Sequence, residues 1–352
     1  MVKGQLLNKS IKVLLFLLLF MTALYYGKPF LVPVVIAALL AMLLLPLSEK
    51  LQRIGWSKGL SILSCILVLI LLVGIIIGLL SWQVSDMAKD APKIEQNVTQ
   101  RIQQVRQKIT TSLGIPPQKQ EQIVKEQQQS GTSKISGMIS GAFTSFAGVL
   151  TNFILILVYV FLFLFYRYHL KTFLLKIVAK EDQENARQIV QDCKKVAQKY
   201  LTGLALMISA LWIMYSIGFT IAGVNNGIFF AVLCGLLEIV PFIGNLVGVI
   251  LTAFMSMAQG GSTGMLIGIL VTYAIVQFIQ TYILETLVVG RGVNINPLFT
   301  ITGLVVGELI WGIAGMVLAI PMLAITKIIC DHIAPLKPYG ALIGENKKEG
   351  ST

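Results

Sequence analysis

The chain has 352 residues, 56% of them hydrophobic and only 12% charged, with a mean hydropathy of +0.81. Soluble domains run near a quarter charged, so this composition excludes a soluble globular protein. The formal charge of +12 is spread along loops flanking apolar runs, with no DNA- or RNA-binding motif beside it, which argues against nucleic acid and for membrane lipid headgroups as the partner.

Apolar runs long enough to cross ~30 Å of hydrocarbon need roughly 20 residues. Five occur in chain order, at Ile11 to Tyr26, Phe30 to Leu47, Leu60 to Trp82, Phe146 to Tyr166 and Leu201 to Ala222. The first resembles a secretory signal, but Gly27, Lys28 and Pro29 make no small-residue cleavage site and another span follows at once, so it is expected to remain as a first helix. Lys and Arg in short loops stay on the cytoplasmic side. Lys3, Lys9 and Lys12 thus place the N-terminus inside, and the next inside loops hold Lys50, Arg53 and Lys58, then Arg167 to Lys199. Gln83 to Ser145 carries eight Lys or Arg residues, but at about 60 residues it is near the length where the charge rule stops applying, and it is assigned outside.

That outside segment places Ile94, Val98, Ile102, Val105 and Ile109 at helical spacing, breaks at Pro116 and Pro117, and returns through a Ser- and Gly-containing stretch. A lid or oligomer contact and a solvated hairpin both fit it. Between Arg167 and Tyr200, Leu170, Phe173, Leu174, Ile177, Ile189, Val190, Val196 and Ala197 recur on one face with Lys opposite, which reads as an interfacial helix pair or a plain linker. The cysteines Cys65, Cys193, Cys234 and Cys330 are not spaced for metal or redox work.

Ionisable groups inside hydrocarbon cost a few kcal/mol, so each marks a functional candidate. Glu238 and Glu308 lie near the middle of apolar stretches, Gly227 to Met257 and Pro297 to Lys327, that are too long for one span and are interrupted by Gly and Pro. A shift of 70 positions matches Asn226 with Asn296, Phe229 with Phe299, Glu238 with Glu308 and Ile243 with Ile313. Paired interrupted segments point to a transporter built on repeats. Each is expected to be a broken helix or re-entrant hairpin with its tip at mid-membrane, entering from opposite sides, with Met265 to Leu284 crossing between them and Arg291 inside; eight plain spans would satisfy the two ends equally well but would place Arg291 outside. Each Glu either holds a cation or proton or caps freed backbone N–H groups. Gln277 and Gln280, at i and i+3, either line the same cavity or bond between helices.

At these residues the chain resembles the autoinducer-2 exporter-like (AI-2E) family of bacterial membrane proteins, whose C-terminal half shows a Glu, then Pro-aromatic-Ile-Gly, a later Asn/His-Pro and a Gly-rich run ending in Pro. Here these read Glu238, Pro241, Phe242, Ile243, Gly244, then Asn296 and Pro297, then Gly307, Gly312, Gly315 and Pro321. Where many members have Pro after the central Gly, this chain has Asn245. The similarity covers nearly the whole chain. It implies transport in the bacterial cytoplasmic membrane, of autoinducer-2 in some members and of sodium or lithium against protons in others.

The expected fold class is an all-α polytopic membrane protein of about eight membrane segments, with two broken or re-entrant hairpins in an inverted repeat. The expected regions are a three-helix membrane region (1–82), an extracytoplasmic insert (83–145), a fourth membrane helix (146–166), a cytoplasmic amphipathic link (167–199), a transport region (200–335) and a cytoplasmic tail (336–352). The leading function is a secondary transporter exporting a small hydrophilic solute at a site built from Glu238, Pro241, Gly244, Asn245, Gln277, Gln280, Glu308 and Gly312. A monovalent cation/proton antiporter and a non-transporting envelope scaffold are the alternatives. No enzyme is expected: His169 and His332 sit in no His-Glu-x-x-His pattern, and no Ser/His couple or paired intramembrane Asp occurs. No resident metal or cofactor is expected beyond a coupling proton or sodium ion, and the partners are lipid, the solute or ion, and further copies of the chain.

Overall fold

A computed structural model describes residues 2–89, 151–240, 243–289 and 294–345, with Asn97 and Gln100 as isolated positions. The insert expected over 83–145 lies almost wholly outside these residues, as does Arg291. The described residues form helices α1 (Val2–Tyr26), α2 (Lys28–Arg53), α3 (Lys58–Lys89), α4 (Thr151–Phe165) and α5 (Arg167–Ile177). Then follow α6 (Gln183–Ile221), α7 (Gly227–Leu237), α8 (Gly244–Ala258) and α9 (Thr263–Ile279), the last continuing as a π-helix over Gln280–Val289. Helices α10 (Pro297–Trp311), α11 (Ile313–His332) and α12 (Lys337–Ile343) complete the series. Among the described residues five helices are long and apolar enough to cross a membrane, or six when the bent pair α4 and α5 counts as one. The protein is an all-α, multi-pass membrane protein.

Helix α6 is the spine. Its 39 residues run about 58 Å at 1.5 Å per residue. The helix expected within the 167–199 link and the span expected from Leu201 are therefore one continuous element. Nothing between Lys199 and Leu201 breaks it, because neither Gly nor Pro occurs there. Its buried residues Cys193, Ala197, Tyr200, Gly203, Met207, Leu211, Tyr215 and Phe219 recur every three or four positions, a single stripe that meets different partners along its length. Met207, Leu211, Tyr215 and Phe219 pack with Phe230, Cys234, Val249, Ile269 and Val276 of α7, α8 and α9. Lower on the stripe, Ala197 meets Leu39 of α2 and Leu318 of α11. A separate core joins α2, α3 and α4 through Ala37, Ala41, Ile62, Ile66, Val160 and Leu164.

Both interrupted stretches fold as antiparallel helix hairpins. In the first, α7 and α8 approach so closely that a Cβ on Gly248 would stand 2.9 Å from Cys234 Cα, and one on Gly244 would overlap the Leu237 carbonyl. In the second, α10 and α11 cross at Gly307 and Gly315, where a Cβ on either would overlap the other's carbonyl. Gly312 turns this hairpin at φ +65°, a conformation that only glycine adopts without strain.

The two hairpins differ in depth. The arms of the first are 11 and 15 residues, about 17 and 23 Å, short of the ~30 Å hydrocarbon thickness. Gly235, near the tip, sits against Trp212, and the Trp212 indole donates to the Val232 carbonyl at 3.0 Å, so this tip lies beside the middle of the apolar half of α6. The second tip is not at the middle of its neighbours. Trp311 Nε1 donates to the Leu24 carbonyl at 3.0 Å, and a Cβ on Gly312 would stand 3.6 Å from Lys28 Nζ, which puts the tip at the turn between α1 and α2. The 20 residues of α11 are long enough to span. The longer return arm and the contact with the α1–α2 turn carry the second hairpin past the mid-membrane tip expected from sequence.

Candidate functional site

Four side chains from the sequence-derived set converge at the first hairpin. Glu238 is the residue after α7, and Asn245 is the second residue of α8, so the tip presents both to its neighbours. On α9, Gln277 and Gln280 lie at i and i+3 and face the same side. Asn245 Nδ2 donates to Gln277 Oε1 at 3.0 Å and to Gln280 Oε1 at 3.3 Å. Gln280 Nε2 donates to Glu238 Oε1 at 2.6 Å. Three of the four are closed to solvent, with Glu238 7% exposed, Asn245 3% and Gln280 2%, while Gln277 is half-buried and also donates to Thr281 Oγ1 at 3.3 Å.

A fifth member was missed by sequence reasoning. Tyr215 on α6, fully buried, donates its hydroxyl to Asn245 Oδ1 at 2.6 Å. A phenol inside an apolar span was the available signal, because a buried Tyr hydroxyl needs a partner. Asn245 is the hub, with its oxygen bonded to α6 and its nitrogen to α9. Gln280 is also where α9 changes from α to π geometry, a distortion that recurs at functional sites.

The remaining candidates are elsewhere. Gly244 serves the hairpin turn, where any side chain would meet the Leu237 carbonyl. Pro241 lies outside the described residues. Glu308 is exposed on α10, one turn before Gly312. Its hairpin packs on α1, α2 and α6 rather than on the first hairpin, so the structure does not bring Glu308 and Gly312 to Glu238. Near the α1–α2 turn, the Glu308 carboxylate is no longer at the centre of the apolar layer, which removes the reason to expect a buried partner for it.

A cavity of about 530 Å³ between α6 and α9 is lined by Met214, Ile217, Gly268, Val271, Ile275 and other mainly apolar residues, and by no member of the cluster. A ligand bonded to the amides of Asn245 and Gln280 would compete with the bonds that these side chains now make to one another. No group of three or more His, Cys, Asp or Glu residues suited to a metal occurs among the described residues.

The family profile described as AI-2E family transporter matches residues 14–334, which includes both hairpins and the cluster. The chain belongs to the AI-2E transporter family. Among curated proteins, this AI-2E member is 23% identical over 206 residues to "Putative transport protein YrrI" of Bacillus subtilis, covering 57% of the chain and 58% of that protein. It is 24% identical over 210 residues to "Putative transport protein YueF" of the same organism, covering 57% of the chain and 56% of that protein. A third relative, a "Putative transport protein" of Borreliella burgdorferi, is 27% identical over 148 residues, covering 42% of the chain and 41% of that protein. The matched chain thus spans between 41% and 58% of the length of these relatives. Membership and fold together place the chain among the multi-pass membrane proteins of that family.

Proposed function

We propose that the protein is a secondary transporter that exports a small hydrophilic solute, and that the Glu238–Gln280–Asn245–Gln277–Tyr215 cluster is its binding site. The observation that carries this reading is Asn245, whose single amide bonds at once to the spine helix and to α9 while sitting at the tip of a short hairpin. Carboxamides offer donors and acceptors together, so the groups that close the site on itself are also those that would bind a neutral solute bearing several hydroxyls. Autoinducer-2, raised by the resemblance, is of that chemical kind. In this conformation the amides are bonded to one another. Movement of the hairpin tip away from α6 and α9 would free the same amides for the solute, and alternating closure against the two sides of the membrane would carry it across.

The setting that fits is the bacterial cytoplasmic membrane with both termini inside, as the distribution of Lys and Arg in short loops supports. The test is efflux of autoinducer-2 from liposomes containing the purified protein, with Asn245→Ala and Gln280→Leu beside the parent. Loss of efflux in both variants supports the assignment. Parental efflux in both would remove the cluster from the pathway.

The carboxylate favours a second reading. Glu238 accepts from Gln280, and the cluster also holds the amide oxygens of Gln277, Gln280 and Asn245, hard oxygen donors compatible with a sodium ion exchanged for a proton. Few ligands are present for a bare cation, which normally takes about six oxygens, so solute export is preferred.

A further inference from the structure

A second polar cluster takes no part in the proposed transport site. It gathers where α2 ends, α3 begins and α4 bends by 68° into α5. Ser48 and Ser61 are fully buried, and Gln52 Nε2 donates to both hydroxyls at 3.0 Å. Gln52 Oε1 accepts from Arg167 Nη2 at 3.3 Å, and the same nitrogen donates to the Tyr168 hydroxyl at 3.0 Å. Gln52 thereby links α2 and α3 to one guanidinium at the bend.

Around it the charge is only partly compensated. Glu49 approaches Arg167 Nη1 at 3.8 Å, too far for a hydrogen bond. Arg167 Nε and Nη1 are buried and make no hydrogen bond among the described residues. A second cation shares the site, because Lys58 Nζ stands 4.5 Å from the Phe165 ring centre and 5.8 Å from that of Tyr168, while Arg167 Cζ stands 4.7 Å from the same Tyr168 ring. Two cations thus flank one aromatic ring that is itself 62% exposed. The last turn of α2 adds Lys50 and Arg53, and Trp56 in the next turn is 42% exposed, the amphipathic residue type enriched where hydrocarbon meets headgroups.

We propose that Arg167, Lys58 and Tyr168 form a binding site for the phosphate of an anionic phospholipid headgroup. The planar guanidinium presents paired donors that match phosphate oxygens, and the ammonium adds a point charge beside it. The apolar flanks identify the source of that phosphate. Leu47, Ile54, Leu60 and Leu162 are exposed on the adjoining helices, where the acyl chains of a lipid held at Arg167 would lie. A lipid so placed binds across the α4–α5 bend, tying the end of the α2–α3 pair to the start of the link toward α6.

The test is native mass spectrometry of the full chain released from nanodiscs of phosphatidylglycerol or phosphatidylcholine, counting retained lipid. The parent is expected to keep phosphatidylglycerol and not phosphatidylcholine. Lys58→Gln should lower retention about fivefold, the effect of losing one interfacial charge contact, and Tyr168→Leu, which removes the ring and hydroxyl that hold Lys58 and Arg167 in place, should lower it as well. Lys171→Gln, with the same change in net charge on the exposed face of α5, should not. Equal loss in the Lys171 variant, or none in the other two, would overturn the site. Displacement of phosphatidylglycerol by millimolar inorganic phosphate would overturn the choice of a lipid as the ligand.

Discussion

Gln280 Nε2 donates to Glu238 Oε1 at 2.6 Å across 42 positions of sequence, joining the end of the first hairpin arm to the residue where α9 turns into a π-helix. The bond makes the carboxylate part of a latch between two elements. The hairpin tip can leave α9 only when this bond and the two from Asn245 are broken together.

Glu238→Gln tests what the charge contributes. The new amide oxygen can still accept from Gln280, so the fold and the melting temperature should stay near the parent's. A hydrogen bond to a charged group exceeds a neutral one by on the order of 1 kcal/mol, and flux should fall five- to tenfold if the charged form takes part in each cycle. Glu308→Gln, at an exposed position outside the latch, should leave flux near parental. Efflux and thermal unfolding measured on the same preparations check both halves, and parental flux in Glu238→Gln would reduce that residue to a structural role.

Asn245→Leu removes the hub. It leaves Tyr215, Gln277 and Gln280 without the partner they share, at ~1–3 kcal/mol for each of the buried Tyr215 and Gln280 groups left unsatisfied. A melting temperature clearly below that of Tyr215→Phe is expected, since the Phe variant strands only the Asn245 oxygen. Equal melting temperatures would mean that the amide is not the hub.

Gly307→Ala and Gly315→Ala should each destabilise by about 1–3 kcal/mol, the range for overpacking a close contact. The added methyl meets a backbone carbonyl of the opposite arm, which cannot rotate away. Gly74→Ala in α3, where no atom lies within 4 Å, should instead be neutral or stabilising, because Ala is the better helix former. Thermal unfolding of the three variants in one detergent decides the point.

Much of this architecture was legible in the residues. Apolar runs marked the spans, and the 70-position match placed the two hairpin tips in register, near 241 and at Gly312. The same match misjudged depth, because it compares residue types and not arm lengths. Depth depends on the 20 residues of α11 and on Trp311 and Gly312 meeting Leu24 and Lys28 at the α1–α2 turn, contacts between segments almost 290 positions apart. Gln277 and Gln280 were visible as polar residues on one face of an apolar helix. Tyr215 was not, since an aromatic in a span reads as core until a partner for its hydroxyl is known.

The coupling ion separates the two transport readings. If sodium competes with a proton for Glu238, adding sodium to vesicles at fixed pH releases protons, and the release vanishes in Glu238→Gln. If the cargo is a neutral polyhydroxylated solute, sodium causes no release, and the solute itself slows transport of a labelled analogue. The second outcome is expected, because the bond from Gln280 to Glu238 and those from Asn245 to Gln277 and Gln280 are made by carboxamides, which suit hydroxyl groups. Gln277→Leu sharpens the comparison, since it removes an amide oxygen without touching the carboxylate. Solute export should weaken in that variant while its response to sodium stays absent. A sodium-driven proton release lost in both Glu238→Gln and Gln277→Leu would instead assign the cluster to cation exchange.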